Sequence, residues 1–184
     1  STNPQERKRK LLNVWYVNSL LGTFRLEEDN DAICGLTLCP DGVPELEPLP
    51  RKVCETPLLQ EAEQQLNEYF AGARKEFDLP LAPKGTAFQQ AVWAEMNKIP
   101  YGQTRTYGQL AAAIGRPKAA RKPKASRAVG GACHCNPIAI IQPCHRVVGS
   151  NGKLTGYAYG VEMKEYLLEL EQQDDRSFLL ATQP

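Results

Sequence analysis

Six residues divide this chain. Pro80-Leu81-Ala82-Pro83-Lys84-Gly85 sets two prolines three positions apart beside a glycine, and neither a helix nor a central strand runs through such a segment. Each side must build its own elements. On the N-terminal side, Asn13–Val17, Thr23–Leu26 and Ala32–Leu38 read as short strands, the first two around Leu21-Gly22. Residues 39–57 hold Pro40, Pro44, Pro48, Pro50 and Pro57 and read as an irregular connection. Thr56 as N-cap and Pro57 at the first helical position then open a helix. In it Leu58, Leu59, Ala62, Leu66, Tyr69 and Phe70 recur with helical period before Gly72.

The C-terminal side reads differently. Thr86 with Gln89, and Thr106 with Gln109, are capping-box pairs. The first precedes Phe88, Val92 and Met96; the second precedes Leu110, Ala111 and Ile114 and stops at Gly115 and Pro117. Ser126 reads as the cap of a short helix from Arg127 to Cys133, so the two helices make a helix-turn-helix pattern. Ile138–Ile141 is an apolar run that suits a buried strand or extended segment, and Val161–Gln172 reads as a last helix with Met163, Tyr166, Leu167 and Leu170 inward. The domain reading is a basic tail at 1–10, an α/β domain at 11–83, a second domain at 84–173 and a tail at 174–184.

A formal net charge of +1 hides a strong asymmetry. From Tyr101 to Lys153 there are nine basic residues and no Asp or Glu, which leaves thirteen basic against twenty-one acidic residues elsewhere. Such a segment is the footprint of a polyanionic partner, most often nucleic acid. No apolar run is long enough for a membrane span, and the basic start has no apolar core for export. Six cysteines without an export signal point to reduced thiols in the cytoplasm or nucleus.

Within the acid-free segment, Pro143-Cys144-His145-Arg146 places a thiol beside an imidazole and a guanidinium. Positive neighbours favour the thiolate, which is the nucleophile. Adjacent residues of an extended chain point apart, so His145 reaches Cys144 only through a turn at Pro143 or a bridging water.

Pro143-Cys144-His145-Arg146-Val147 resembles the active-site signature of the O6-alkylguanine-DNA alkyltransferases. Gly85–Trp93, Ile99-Pro100-Tyr101-Gly102, Thr106–Ala111, Arg127–Ala132, Asn136-Pro137, Gly156-Tyr157 and Lys164-Glu165 stand in that family's order. The resemblance is strong from Gly85 to Glu171 and faint earlier, at Ser19–Gly22. It implies an α/β N-terminal domain (a small antiparallel sheet plus helix, ribonuclease H-like). A mostly α, winged helix-turn-helix-like C-terminal domain follows. It also implies a DNA-repair protein that moves an alkyl group from O6-alkylguanine in duplex DNA, and from O4-alkylthymine, irreversibly to its own cysteine. By resemblance Cys144 is the nucleophile, His145 takes its proton through a water, Glu165 orients the imidazole, and Asn136 braces the preceding turn. The target base lies inside the duplex and must be extruded, from the minor-groove side.

For DNA contact the resemblance implies Tyr107, which turns the nucleotide's phosphate, with Ala128, Gly130, Gly131 and Ser150. The basic side chains Arg116, Lys118, Arg121, Lys122, Lys124 and Arg127 join them. Cys133, Val147, Tyr157, Ala158 and Tyr159 would line the guanine pocket, Tyr159 standing where many relatives carry Gly. Ala119-Ala120-Arg121 and Ser126-Arg127-Ala128-Val129 both match one motif, as if six residues were inserted. Either Arg121 or Arg127 could fill the space of the flipped base, and rigid connection to Cys144 favours Arg127. No cofactor, no metal, no membrane and a monomer are expected.

Two other functions fit parts of the sequence. Some relatives lack the cysteine and only recognise damage, a reading that Cys144 opposes. Cys133-His134-Cys135 with Cys144-His145 suggests a zinc-stabilised regulator, but the ligand spacing is wrong for a zinc site.

Overall fold

The structure is a computed structural model and describes residues 10–115 and 123–173, Pro123 and Lys124 by their backbone alone. Three strands follow from the start: β1 (Leu12–Ser19), β2 (Gly22–Asp29) and β3 (Ala32–Cys39). They pair antiparallel, with Ser19 opposite Gly22 across the first turn. The second turn, Asn30-Asp31, has φ of 50° and 60°, the left-handed pair that a tight hairpin needs and that Asn and Asp tolerate. A short β4 (Arg51–Val53) lies parallel to β1, giving the order β3-β2-β1-β4. The sheet is therefore mixed, not purely antiparallel as expected. The Pro-rich connection carries the chain back along the sheet before it pairs, so the new strand enters in the same direction as β1.

Helix α1 (Pro57–Phe70) starts as its sequence dictates, with Thr56 Oγ1 accepting the Leu59 N–H at 3.2 Å and Pro57 in the first turn. Leu59, Ala62, Leu66 and Tyr69 are fully buried, at spacings of three and four that form one apolar face packed on the sheet.

The C-terminal half holds α2 (Ala87–Met96), α3 (Tyr107–Ala113), α4 (Pro123–His134) and α5 (Val161–Gln172). A two-residue β5 (Arg105–Thr106) pairs parallel with β6 (Val147–Val148). Both capping boxes form, at Thr86/Gln89 and Thr106/Gln109. Trp93 Nε1 of α2 donates to Ala132 O of α4 at 2.9 Å and fixes that helix against the core. Ser126 does not cap α4, which already starts at Pro123. A proline with φ preset near the helical value is a better first residue than a break in the helix. Ile138–Ile141 forms no strand either. Ile138 bridges to Leu36, and the chain then turns through Ile140 with φ 68°.

The outer edge of β3 is covered along its length. Ile33 exchanges bonds with the linker (Ile33 N to Pro80 O, Ala82 N to Ile33 O, both 2.8 Å). Leu36 does so with the segment before Cys144, through Leu36 N to Pro137 O at 2.9 Å and Ala139 N to Leu36 O at 3.1 Å. An edge strand that would otherwise expose unpaired amides is thus spent on positioning that segment. Among the described residues no helix is long and apolar enough to cross a membrane.

Candidate active site

Asn136 organises the turn that carries Cys144. Its Oδ1 accepts from Ile138 N (3.0 Å) and Gln142 Nε2 (2.8 Å). Its Nδ2 donates to Gln142 O (2.9 Å), to Ile138 O (3.3 Å) and to Cys144 Sγ (3.1 Å). Every residue from Ile138 to Val148 is buried. Pro143 leaves the extended region (φ −83°, ψ 65°), and Cys144–Arg146 makes one turn of 3-10 helix, so Cys144 and His145 sit on a turn and not on a strand.

The carboxylate behind His145 is not Glu165. That residue is exposed on α5, facing away from the site. Glu171, two turns of helix beyond Lys164, is fully buried and meets His145 Nε2 at 2.6 Å. Met163, Lys164, Leu167, Leu170 and Glu171 form the buried face of α5, so the spacing of seven puts the lysine and the glutamate on the inward stripe. Sequence reasoning missed Glu171 because a charged residue near a helix end reads as solvated. The usable signal was its register with Met163, Leu167 and Leu170.

Glu171 collects donors from four residues on three segments. Arg146 Nε and Nη2 donate at 2.7 and 3.1 Å, Tyr69 Oη at 2.6 Å and Gly102 N at 3.2 Å, besides His145. Gly102 has φ 78°, and that left-handed turn aims its N–H at the carboxylate. Burial alone would push the Glu171 carboxyl up, but the hydrogen bonds from His145 and Arg146 hold it down at about 2. His145 is held below its ordinary value by burial, against the pull of Glu171. Its other nitrogen, Nδ1, is buried with no partner among the described residues, as is the Tyr157 hydroxyl.

Burial, and not the basic surroundings, dominates at the thiol. Burial pushes Cys144 up, opposed by the Asn136 amide, Lys164 and two backbone N–H groups. Acid-free sequence did not mean acid-free space, because Glu171 arrives from α5 to neutralise Arg146. Lys164 is fully buried, donates to Val147 O (2.5 Å) and Thr155 O (3.0 Å), and lies 5.7 Å over the Tyr107 ring.

Around this centre, Cys133, Val147 and Tyr157 are buried, Tyr159 is half-buried, and Ala158 and Ser150 are exposed. Tyr159 meets Tyr157 edge-on at 5.8 Å. Tyr107 donates to Thr155 O at 3.0 Å, and with Ser126, Arg127, Gly130, Gly131 and Gly156 it lines a shallow groove beside α4. Arg127 and Ala128 are exposed there. Arg116, Lys118, Arg121 and Lys122, and the side chain of Lys124, lie outside the described residues. Of the zinc candidates, Cys133 is buried, while His134 and Cys135 are exposed.

With a thiol beside an imidazole, and that imidazole held by a carboxylate, the site falls in the class of proteins that use a cysteine sulfur as nucleophile. Comparison with known proteins narrows the class. Residues 14–83 match the ribonuclease-like domain of 6-O-methylguanine DNA methyltransferase, and residues 87–173 match its DNA binding domain. A methylated-DNA–protein-cysteine methyltransferase of Methanosarcina acetivorans is 61% identical over 112 residues, which are 61% of this chain and 68% of that protein. The constitutive enzyme of Bacillus subtilis is 55% identical over 119 residues, 64% of this chain and 68% of that one. Among solved structures, Mycobacterium tuberculosis OGT in complex with DNA is 42% identical with a TM-score of 0.75, covering 87% of this chain and 92% of that one. The chain belongs to the 6-O-methylguanine DNA methyltransferase family and is a DNA-repair methyltransferase that acts on a protein cysteine.

Proposed function

We propose that Cys144 is the acceptor, that the donor is O6-alkylguanine in duplex DNA, and that each molecule acts once. The observation that carries this reading is the 2.6 Å contact of Glu171 with the imidazole next to a thiol held by Asn136. The sulfur attacks the alkyl carbon in line, the carbon–O6 bond breaks, and the guanine leaves with the electron pair. The thiol proton passes to His145 through one water at Nδ1, the buried nitrogen with no partner among the described residues. Glu171 steadies the imidazolium that forms. Asn136 and Lys164 favour the thiolate as it forms, in a pocket otherwise too dry for it. The Tyr157 hydroxyl, without a partner among the described residues, supports a polar ligand edge beside Cys144.

The groove beside α4 supports the DNA side of the reading. Two glycines inside a helix cost stability, roughly 1 kcal/mol each against alanine. A methyl at Gly131 would meet nothing within 4 Å, and at Gly130 only the Tyr107 ring at 3.9 Å. Among the described residues no packing demands them, so their smallness supports close approach of a sugar-phosphate backbone. Arg127, exposed on the same helix and rigidly linked to the cysteine turn, is the side chain proposed to replace the flipped base. The halves 11–83 and 84–173 are taken as two domains of a monomer working in a reducing intracellular compartment.

Intact-mass analysis after incubation with O6-methylguanine DNA, followed by peptide mapping, tests the assignment. One methyl group on Cys144 is expected, and a label on Cys133 or Cys135 overturns it. Arg127→Ala should slow transfer from duplex DNA far more than from a free O6-alkylguanine base.

A further inference from the structure

We propose that Tyr69, on α1 of the N-terminal half, is a positioning residue of the transfer reaction that sets the basicity of His145 through Glu171. The proposal rests on the reading of His145 as the proton acceptor.

Tyr69 brings a polar hydroxyl into a hydrophobic core and aims it at the relay. Tyr69 is fully buried among apolar and aromatic neighbours, with Phe77 at 5.4 Å and Tyr101 edge-on at 6.2 Å. Packing alone would be served as well by phenylalanine. Instead its hydroxyl donates at 2.6 Å to Glu171 Oε2, a residue 102 positions away and the same oxygen that faces His145 Nε2 at 2.6 Å. Arg146 Nη2 is the third donor to that oxygen, at 3.1 Å. Three donors share lone pairs that suit about two strong bonds. Each bond from the phenol therefore weakens the hold of the carboxylate on the imidazole proton. A weaker hold keeps His145 neutral and able to accept a proton.

The charged and titratable groups around the pair come from every packed element. Glu171 and Lys164 face it from α5, Arg146 and Cys144 from the cysteine turn, Tyr69 from α1, and Tyr101 from the segment after α2. Among the described residues, the shared oxygen is bonded by His145 itself, by the charged Arg146 and by the uncharged Tyr69. It is also the contact through which the N-terminal half touches the relay itself, beyond bracing the backbone at Leu36.

The test is the pH profile of single-turnover transfer from O6-methylguanine DNA, in the full chain. The parent should lose rate as pH falls through the His145 value. Tyr69→Phe removes one charge-assisted bond, so the acid limb should move up by about half to one pH unit. A ring-fluorinated tyrosine at position 69 keeps the ring and strengthens the donor, so the limb should move down. Leu66→Val loosens the same helix without touching the hydroxyl and should leave the limb in place. Imidazole NMR titration of His145 should follow the same shifts. An unmoved limb in both Tyr69 variants, with or without a lower plateau, overturns the proposal while sparing the relay. The same movement in Leu66→Val also overturns it. A parent profile with no acid limb overturns the His145 reading itself, and this one with it.

Discussion

Glu171→Gln separates the two glutamates of α5 and tests the site directly. The change keeps shape but removes the charge that balances Arg146, whose side chain is 8% exposed and bonded at 2.7 Å. Stripping one partner from a buried ion pair costs about 3–5 kcal/mol, and the amide oxygen retained by glutamine puts the expected loss near the lower figure, about 3 kcal/mol. For a chain of this size that is a fall in Tm of roughly 6–12 °C. The chemistry should suffer separately. Without the carboxylate, His145 loses both its orientation and the stabilisation of its charged form, and transfer at saturating DNA should slow by at least about ten-fold, towards the 10²–10⁴ that a general base supplies. Glu165→Gln, on the exposed face, should change neither quantity. Thermal melts by circular dichroism give the first number and rapid-quench single-turnover transfer gives the second, well below the melting range. Equal slowing by Glu165→Gln, or parent-like melting and transfer in Glu171→Gln, would refute the reasoning.

Three further outcomes follow from the same geometry. Asn136→Asp keeps the acceptor for Ile138 and Gln142 but turns the donor facing Cys144 Sγ into an oxygen, so the thiol should become harder to ionise and transfer should slow by at least about ten-fold. A thiol titration that does not move upward would contradict this. Acid should destabilise the fold in two stages, read from urea midpoints across pH. His145 is held below 6.5 in the folded chain, so its contribution is whole above about 6.5 and declines as pH falls below it. Glu171, at about 2 against an ordinary 4.5, contributes above 4.5 and loses that contribution between 4.5 and 2. Midpoints that stay flat from neutrality to pH 4 would be the wrong result for His145. Gly131→Leu should leave or slightly raise the melting temperature, since open space surrounds that position and leucine favours helix. The same variant should weaken DNA binding while sparing transfer from a free alkylated base; unchanged DNA affinity would remove α4 from the interface.

What the sequence determined by itself was local. The prolines at 80 and 83 divided strand-rich from helical chain, and Thr56, Thr86 and Thr106 fixed three helix starts, because caps and prolines act within four residues of themselves. The Pro143-Cys144-His145-Arg146 run located the chemistry, as a motif carries its residue types wherever the chain is placed. The Pro-rich stretch concealed β4 because pairing with β1 is non-local, and Ile138–Ile141 looked like a strand because its apolar character reflects burial and not backbone shape. The charge balance of the reactive segment was the deepest miss. Counting acids along the chain found none near Cys144, yet space brings the Glu171 carboxylate from α5 to His145, with Tyr69 of α1 donating to the same oxygen. A thiol's ionisation depends on the dielectric and on charges within a few ångströms in any direction, and those are set only when distant segments fold against one another.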